Sequence, residues 1–310
     1  MVRKASCIVL VFVILGTALA QEASKPAAIV NGEAISRAEL DRVVGFVLKE
    51  RFKLQPPTPS QKKQAQEDVL TMLIDDLLMK QFLEKNAPKA DPAEVAKQFA
   101  ELVEEQAKAK TKMEDFYKET SQTEAEVKAN IATMVQWAAY IKQQVSDAEL
   151  QRYYQDSKDF FDQVTVRASH ILFMLPEKAS DGERQLLRRK LLALKDDIAA
   201  GKIDFAEAAK QQSQCPATAP NGGDLGFFPR KLVWEDAFSR AAFGLAIGHV
   251  SDIIETNYGF HLIKVTERKP GQPSDFEKIK DDVRDLCVED LRQDLLMAER
   301  KKAKIDVKVD

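Results

Sequence analysis

The chain has 310 residues, 46 Lys+Arg against 49 Asp+Glu, and a net charge of -3, so it offers no cationic face for a nucleic acid backbone. Its length exceeds that of one ordinary compact domain, which predicts at least two. Its composition, 45% hydrophobic and 31% charged, is that of an ordinary soluble protein.

The N-terminus reads as an export signal. Arg3 and Lys4 supply the positive region, Ile8 to Leu15 the apolar run, and Ala18-Leu19-Ala20 the small-x-small pattern that predicts cleavage before Gln21. The run is shorter than the ~20 residues needed to span a bilayer, so no stable membrane insertion is expected after cleavage. Cys7 precedes the run and is not placed for lipid attachment at a new N-terminus. An exported chain could join the remaining Cys215 and Cys287 in a disulfide, although their spacing does not demand it.

After an Ala/Pro linker, Ala28 to Ile35 reads as a strand with a turn at Asn31-Gly32, and Ser36 is placed to cap the helix that follows. Leu40, Val43, Val44 and Val47 mark one apolar helix face. Val69, Leu70, Leu73, Ile74, Leu77 and Leu78 mark another, and Pro56, Pro57 and Pro59 break the chain between them. From Asp91 to Gln144 the pattern is helical but more polar, with Phe99, Leu102, Met113, Phe116, Tyr117, Ile131, Val135 and Trp137 as anchors. Such a stripe serves either as core or as a groove for extended peptides. A capping signature at Ser146 to Glu149 opens a short helix, Leu150 to Tyr154.

The pattern then changes. Val164 to Met174 alternates as a strand covered on both faces, and the helix Glu183 to Ala199 follows, with Leu187, Leu191, Leu194 and Ile198 on one side. Asp204 caps a short helix, Phe205 to Lys210. A Pro/Gly-rich loop, Pro216 to Gly226, leads to Phe227-Phe228, a helix near Glu235 to Phe243, and two strands, Asp252 to Glu255 and Phe260 to Glu267. Pro270 to Pro273 is a linker. A long helix carrying Phe276, Ile279, Val283 and Leu286 ends in a strand at Ile305 to Val309, whose unpaired backbone groups call for a partner. The strand at Ala28 to Val30 is the natural one.

Four separated motifs in this order resemble the parvulin family: Ala168-Ser169-His170-Ile171-Leu172, Cys215-Pro216, Gly222 to Phe228, and Thr256 to Val265. The flanks resemble the SurA group of periplasmic chaperones through Val30-Asn31-Gly32-Glu33, Leu73-Ile74-Asp75, and Val145-Ser146-Asp147 with Tyr153-Tyr154. The resemblance implies an α+β fold, a parvulin domain of a small antiparallel sheet with surrounding helices, inserted in a mainly helical SurA-like body. The implied limits are a signal at 1–20, a helical region at 21–163, the isomerase domain at 164–268, and a returning helix and strand at 269–310.

The implied activity is peptidyl-prolyl cis/trans isomerisation, assisting exported proteins in the periplasm. Its partners are unfolded or extended proline-containing polypeptides. Rotation about an X-Pro bond faces a barrier of ~18–20 kcal/mol from amide resonance and needs neither cofactor nor metal, only a better environment for the twisted amide. About 5 kcal/mol of preference for that twisted state gives a rate gain of roughly 10³–10⁴.

By the resemblance, Leu225, Phe238 and one of Leu232 and Val233 line the proline pocket. This chain has one more residue between Asp224 and Phe238 than the family pattern, which leaves both Leu232 and Val233 as candidates. Phe228 is either pocket or core. His170 and His261 are the paired histidines, hydrogen-bonded to each other and to a hydroxyl such as Thr256. Cys215 takes the position of a cysteine or aspartate, with an electrostatic role; the alternatives are a half-disulfide and an incidental small residue. Gly222, Gly223, Gly226 and Gly259 serve tight turns, and no lysine follows to make a phosphate loop.

Three rival readings remain. A thiol hydrolase would use Cys215 with His170 or His261. Zinc would need His170, His249, His261 and Cys215, but no short ligand pair supports it. The third is a non-catalytic holdase that keeps the parvulin fold as a peptide-binding module.

Overall fold

The computed structural model describes residues 25–52, 55–120, 122–176 and 178–309; the expected leader, residues 1–20, lies outside them. The chain divides into two compact units, one of Met1–Asp147 with Arg284–Asp310 and the other of Ala148–Val283. Among the described residues no helix is long and apolar enough to cross a membrane.

The first unit begins with a hairpin of β1 (Pro26–Val30) and β2 (Glu33–Ser36). Asn31 and Gly32 join them with φ of 53° and 91°, the left-handed pair that a two-residue hairpin turn requires. Ser36 then caps α1 (Arg37–Arg51), its hydroxyl accepting from the Glu39 amide. Pro59 and the Thr58/Gln61 capping box start α2 (Pro59–Asn86). Next come α3 (Pro92–Lys108), α4 (Met113–Thr120) and α5 (Glu124–Gln144), the last opened by a Thr123/Glu126 box.

Leu40, Val43, Val69, Leu73, Leu77 and Leu78 bury their apolar faces against Ala28 and Val30. Phe99, Leu102, Phe116 and Tyr117 pack on Val127, Ile131 and Val135, so this part of the aromatic stripe is core. The sheet closes with β7 (Ile305–Val307), which lies antiparallel to β1 with Ala28 opposite Val307, giving the order β2-β1-β7.

The second unit runs through α6 (Asp147–Asp156), α7 (Lys158–Phe161), β3 (Thr165–Met174), α8 (Asp181–Ala199), α9 (Phe205–Gln212), a 3-10 turn (Ala219–Asn221), β4 (Asp224–Pro229), α10 (Asp236–Gly244), β5 (Ile254–Thr256) and β6 (Gly259–Lys269). Its antiparallel sheet has the order β4-β3-β6-β5. The strand β4 is an addition to the sequence reading, which ends the loop at Gly226 and assigns Phe227-Phe228 to no element. It pairs Asp224 with Ser169 across a register shift, and Gly226 and Pro229 bracket its two phenylalanines, so the strand signal is too short to read.

The sheet is covered on both faces. Ile171, Phe173, Phe260 and Leu262 pack with Leu191, Leu194 and Phe205 of α8 and α9. Val166, Ala168, Ile263 and Val265 pack with Phe228 and with Phe238, Ala242 and Phe243 of α10.

The second unit extends beyond 164–268 on both sides. The Tyr154 hydroxyl donates to the Ser274 carbonyl at 2.7 Å, and the Ser274 amide and hydroxyl donate to Asp162 Oδ1 at 2.8 and 2.6 Å. The Gln272 amide adds a bond to the Asp162 carbonyl at 2.8 Å. These bonds clasp the entering and leaving segments together. α11 (Phe276–Lys302) follows and departs from helical angles at Ile279 (φ −118°, ψ 16°).

Candidate functional site

Strands β3 and β6 are neighbours along their whole length, and the register sets His261 opposite Leu172 and His170 opposite Ile263. Alternation therefore turns both imidazoles to the face that α10 covers. Their Nδ1 atoms lie 3.3 Å apart, so one donates to the other, and the rings stack with centroids 5.5 Å apart. The outer nitrogens end on hydroxyls: His170 Nε2 is 2.9 Å from Thr218 Oγ1, and His261 Nε2 is 2.8 Å from Thr256 Oγ1.

The four groups form one chain, Thr218–His170–His261–Thr256. Two neutral arrangements satisfy it, with all donors pointing one way or all the other. Burial supports neutrality. Both imidazoles are 4% exposed. Burial pushes His170 down to about 4, and burial together with the charge of His170 does the same to His261.

Thr218 carries no signal in the sequence that marks it as a site residue. It arrives through the loop after α9, which is strapped to β3: the Gln214 amide donates to the Leu172 carbonyl at 2.8 Å, and the Leu172 amide donates to Ser213 Oγ at 3.1 Å. The Cys215 carbonyl then accepts from the amides of Thr218 and Ala219, turning the chain so that the hydroxyl meets His170. Gly223 fixes the other side. Its carbonyl accepts from the His170 amide at 2.9 Å, and with φ of 81° any Cβ there would run into the His170 carbonyl.

Over the histidines lies an aromatic floor. Phe238 meets both rings edge to face, at 5.9 Å from His170 and 5.3 Å from His261. It is 3% exposed and touches Phe228, also 3% exposed, at 6.3 Å. Trp234 closes the group, 5.6 Å from Phe238 and 6.1 Å from Phe228, and is 37% exposed. Leu225 is partly buried against this cluster.

Leu232 and Val233 are not brought into that cluster; they stand 78% and 52% exposed. The aromatic wall at this place is Trp234. It stands in the loop two residues before α10 begins at Asp236, and its ring contacts with Phe238 and Phe228 are what place it in the cluster.

Cys215 is partly buried and is not in a disulfide; nor is Cys287. Among the described residues, the Cys215 sulfur takes no hydrogen bond from either imidazole, and its backbone amide reaches Ser213 Oγ at 3.4 Å. Beside the site, Arg167 grips Asp224 with two bonds, of 3.2 and 2.7 Å, and Glu267 at 2.9 Å. The Asp224 carboxyl is held below its usual range by this guanidinium and also caps the Gly226 amide. No group of three His, Cys, Asp or Glu side chains suited to a metal ion occurs among the described residues.

The family model of the PPIC-type PPIase domain matches residues 170–267, and a SurA-like N-terminal domain matches residues 5–141. Residues 170–267 are a PPIC-type parvulin domain. The match begins at His170 and spans the whole hydrogen-bonded chain, so the parvulin domain holds both histidines, both threonines and the aromatic floor.

Among relatives, a protein named foldase protein PrsA from Geobacillus sp. (strain WCH70) is 41% identical over 140 residues, 45% of this chain and 43% of the relative. This chain thus spans less than half the length of that relative. A foldase protein PrsA from Caldanaerobacter subterraneus subsp. tengcongensis is 28% identical over 277 residues, covering 84% of this chain and 82% of the relative. A solved structure titled peptidylprolyl isomerase (PrsA) from Bacillus anthracis covers 74% of this chain and 96% of its own, with 24% identity and a TM-score of 0.44.

Proposed function

We propose that the protein is a peptidyl-prolyl cis/trans isomerase that assists the folding of exported polypeptides. The observation that carries this is the contact of Phe238 with a buried pair of neutral, mutually hydrogen-bonded histidines. The parvulin match and the foldase relatives support the same reading.

In the reactive state the proline nitrogen regains a lone pair and the carbonyl loses amide character. A dry aromatic surface that holds the ring, edged by fixed dipoles, favours that state over the planar amide. Phe238, Trp234 and Leu225 supply the ring surface, with Phe228 behind them. The Thr218–His170–His261–Thr256 chain holds β3, β6 and the Cys215 loop in register, and its neutrality keeps the pocket free of a buried charge. Cys215 takes no covalent step in this reading; its carbonyl turns the loop that brings Thr218 to His170.

The substrates in this reading are extended proline-containing chains. Export and a periplasmic location rest on the leader at 1–20, which lies outside the described residues. In the test, the full chain is added to a tetrapeptide bearing one X-Pro bond and the cis-to-trans rate is followed. Wild type accelerates it, while Phe238→Leu, which keeps an apolar core residue, loses at least tenfold in kcat/KM. A folded wild type with no effect on the rate refutes the proposal.

A further inference from the structure

The loop between β4 and α10 is anchored on both sides of its tip. Arg230 Nη2 donates to Asp236 Oδ1 at 2.8 Å, Lys231 Nζ reaches the Tyr153 hydroxyl at 3.1 Å, and both carboxylate oxygens of Glu235 accept from the Asn257 amide at 3.1 and 3.2 Å. Between these anchors stand Leu232 and Val233, 78% and 52% exposed. Leu232 also holds φ of 73°, a left-handed conformation that bulky residues avoid and glycine adopts freely. The fold gains little packing from this side chain, and a glycine would suit the backbone better. A strained, exposed leucine on a pinned loop, two residues from the Trp234 wall, has the character of a contact surface.

The occupant follows from chain continuity. If the proline ring sits against Trp234 and Phe238, its covalent neighbours lie one residue, about 3.8 Å of backbone, away. Val233 is the chain neighbour of Trp234 and Leu232 the next residue, and both present exposed aliphatic side chains.

We infer that Leu232, with Val233 beside it, is a specificity-determining residue that reads the side chain adjacent to the target proline and favours an apolar one. The inference rests on the isomerase reading above, and it takes Leu232 out of the proline pocket itself.

The test measures kcat/KM of the full chain on tetrapeptides with Leu, Phe, Gln, Glu or Lys placed before proline, and on a second set with the same residues after it. Wild type is expected to prefer Leu and Phe over the polar residues at one of these positions by roughly tenfold, the low end of what one apolar contact provides. Leu232→Gly is expected to lower that preference to within about twofold while the thermal midpoint stays level or rises, because glycine relieves the left-handed position. A wild type without preference overturns the inference and leaves the isomerase intact. So does a Leu232→Gly variant that keeps the preference, or one whose midpoint falls. A wild type that accelerates none of the peptides removes the isomerase reading and this inference with it.

Discussion

Lowering the pH from 7 to 5 is expected to weaken the parvulin unit through its histidine pair. His170 and His261 are held down to about 4 in the folded protein, against 6.5 when exposed. In this window the unfolded chain takes up protons that the folded chain refuses. Stability is therefore full above 6.5 and drains as pH falls toward 4. Between pH 7 and 5 each histidine contributes a loss of about 2 kcal/mol, and the pair about 4 kcal/mol.

The other unit has a group of opposite sign. Glu39 is raised to about 7, chiefly by burial, with Glu126 adding to the effect and Arg42 and Lys80 opposing it. Its folded form binds a proton more readily than the unfolded chain, so acidification from 7 toward 4.5 stabilises that unit.

The chain has two tryptophans, Trp137 in the first unit and Trp234 in the second. Urea titrations of Trp137→Phe and Trp234→Phe therefore report the units separately. With a slope of roughly 1–3 kcal/mol per molar urea, the Trp234 signal should move its midpoint down by more than about 1 M at pH 5, and the Trp137 signal should not follow it down. An unchanged Trp234 midpoint would refute the claim that both histidines are buried in the neutral state.

Three further outcomes are expected. Gly223→Ala puts a methyl against the His170 carbonyl at a left-handed position, and should cost at least ~2 kcal/mol in thermal or urea melts; Gly226→Ala, with φ of 69° but open space around it, should cost about 1 kcal/mol. Thr256→Val removes the His261 partner and the acceptor of the Tyr258 amide, so its loss should exceed that of Thr218→Val by about 1 kcal/mol in the same melts. Residues 148–283, which retain the Tyr154–Ser274–Asp162 clasp, should melt cooperatively at a higher temperature by circular dichroism than residues 164–268, which lose it. Equal midpoints would show that the clasp adds nothing.

Much of the architecture was legible where a local rule governs it. The covered strands β3 and β6 announce themselves by alternation, Ser36 by its capping position, and the turn at Asn31-Gly32 by residues that tolerate positive φ. The pairing of β7 with β1 follows from the need of a lone strand for a partner.

What stayed hidden depends on contacts distant in sequence. β4 is irregular, interrupted by Gly226 and closed by Pro229, and is held by its neighbours more than by its own composition. Thr218 belongs to the site only because the loop after α9 is strapped to β3, forty residues earlier, by Gln214 and Ser213. Trp234 lies outside the pair that the resemblance offers, Leu232 and Val233, and only its ring contacts with Phe228 and Phe238 bring it in. The clasp joins Tyr154 and Ser274, 120 residues apart, with no periodic signal to connect them.

The measurement that bears most directly on the central claim is exchange spectroscopy by NMR on an unmodified X-Pro peptide at equilibrium, with a catalytic amount of the full chain. Wild type should raise cis/trans exchange well above the uncatalysed rate of once in tens to hundreds of seconds, and Phe238→Leu should lower it while leaving the protein folded. Exchange at the uncatalysed rate with folded wild-type protein would contradict the account and leave the aromatic surface over the histidines without a catalytic role.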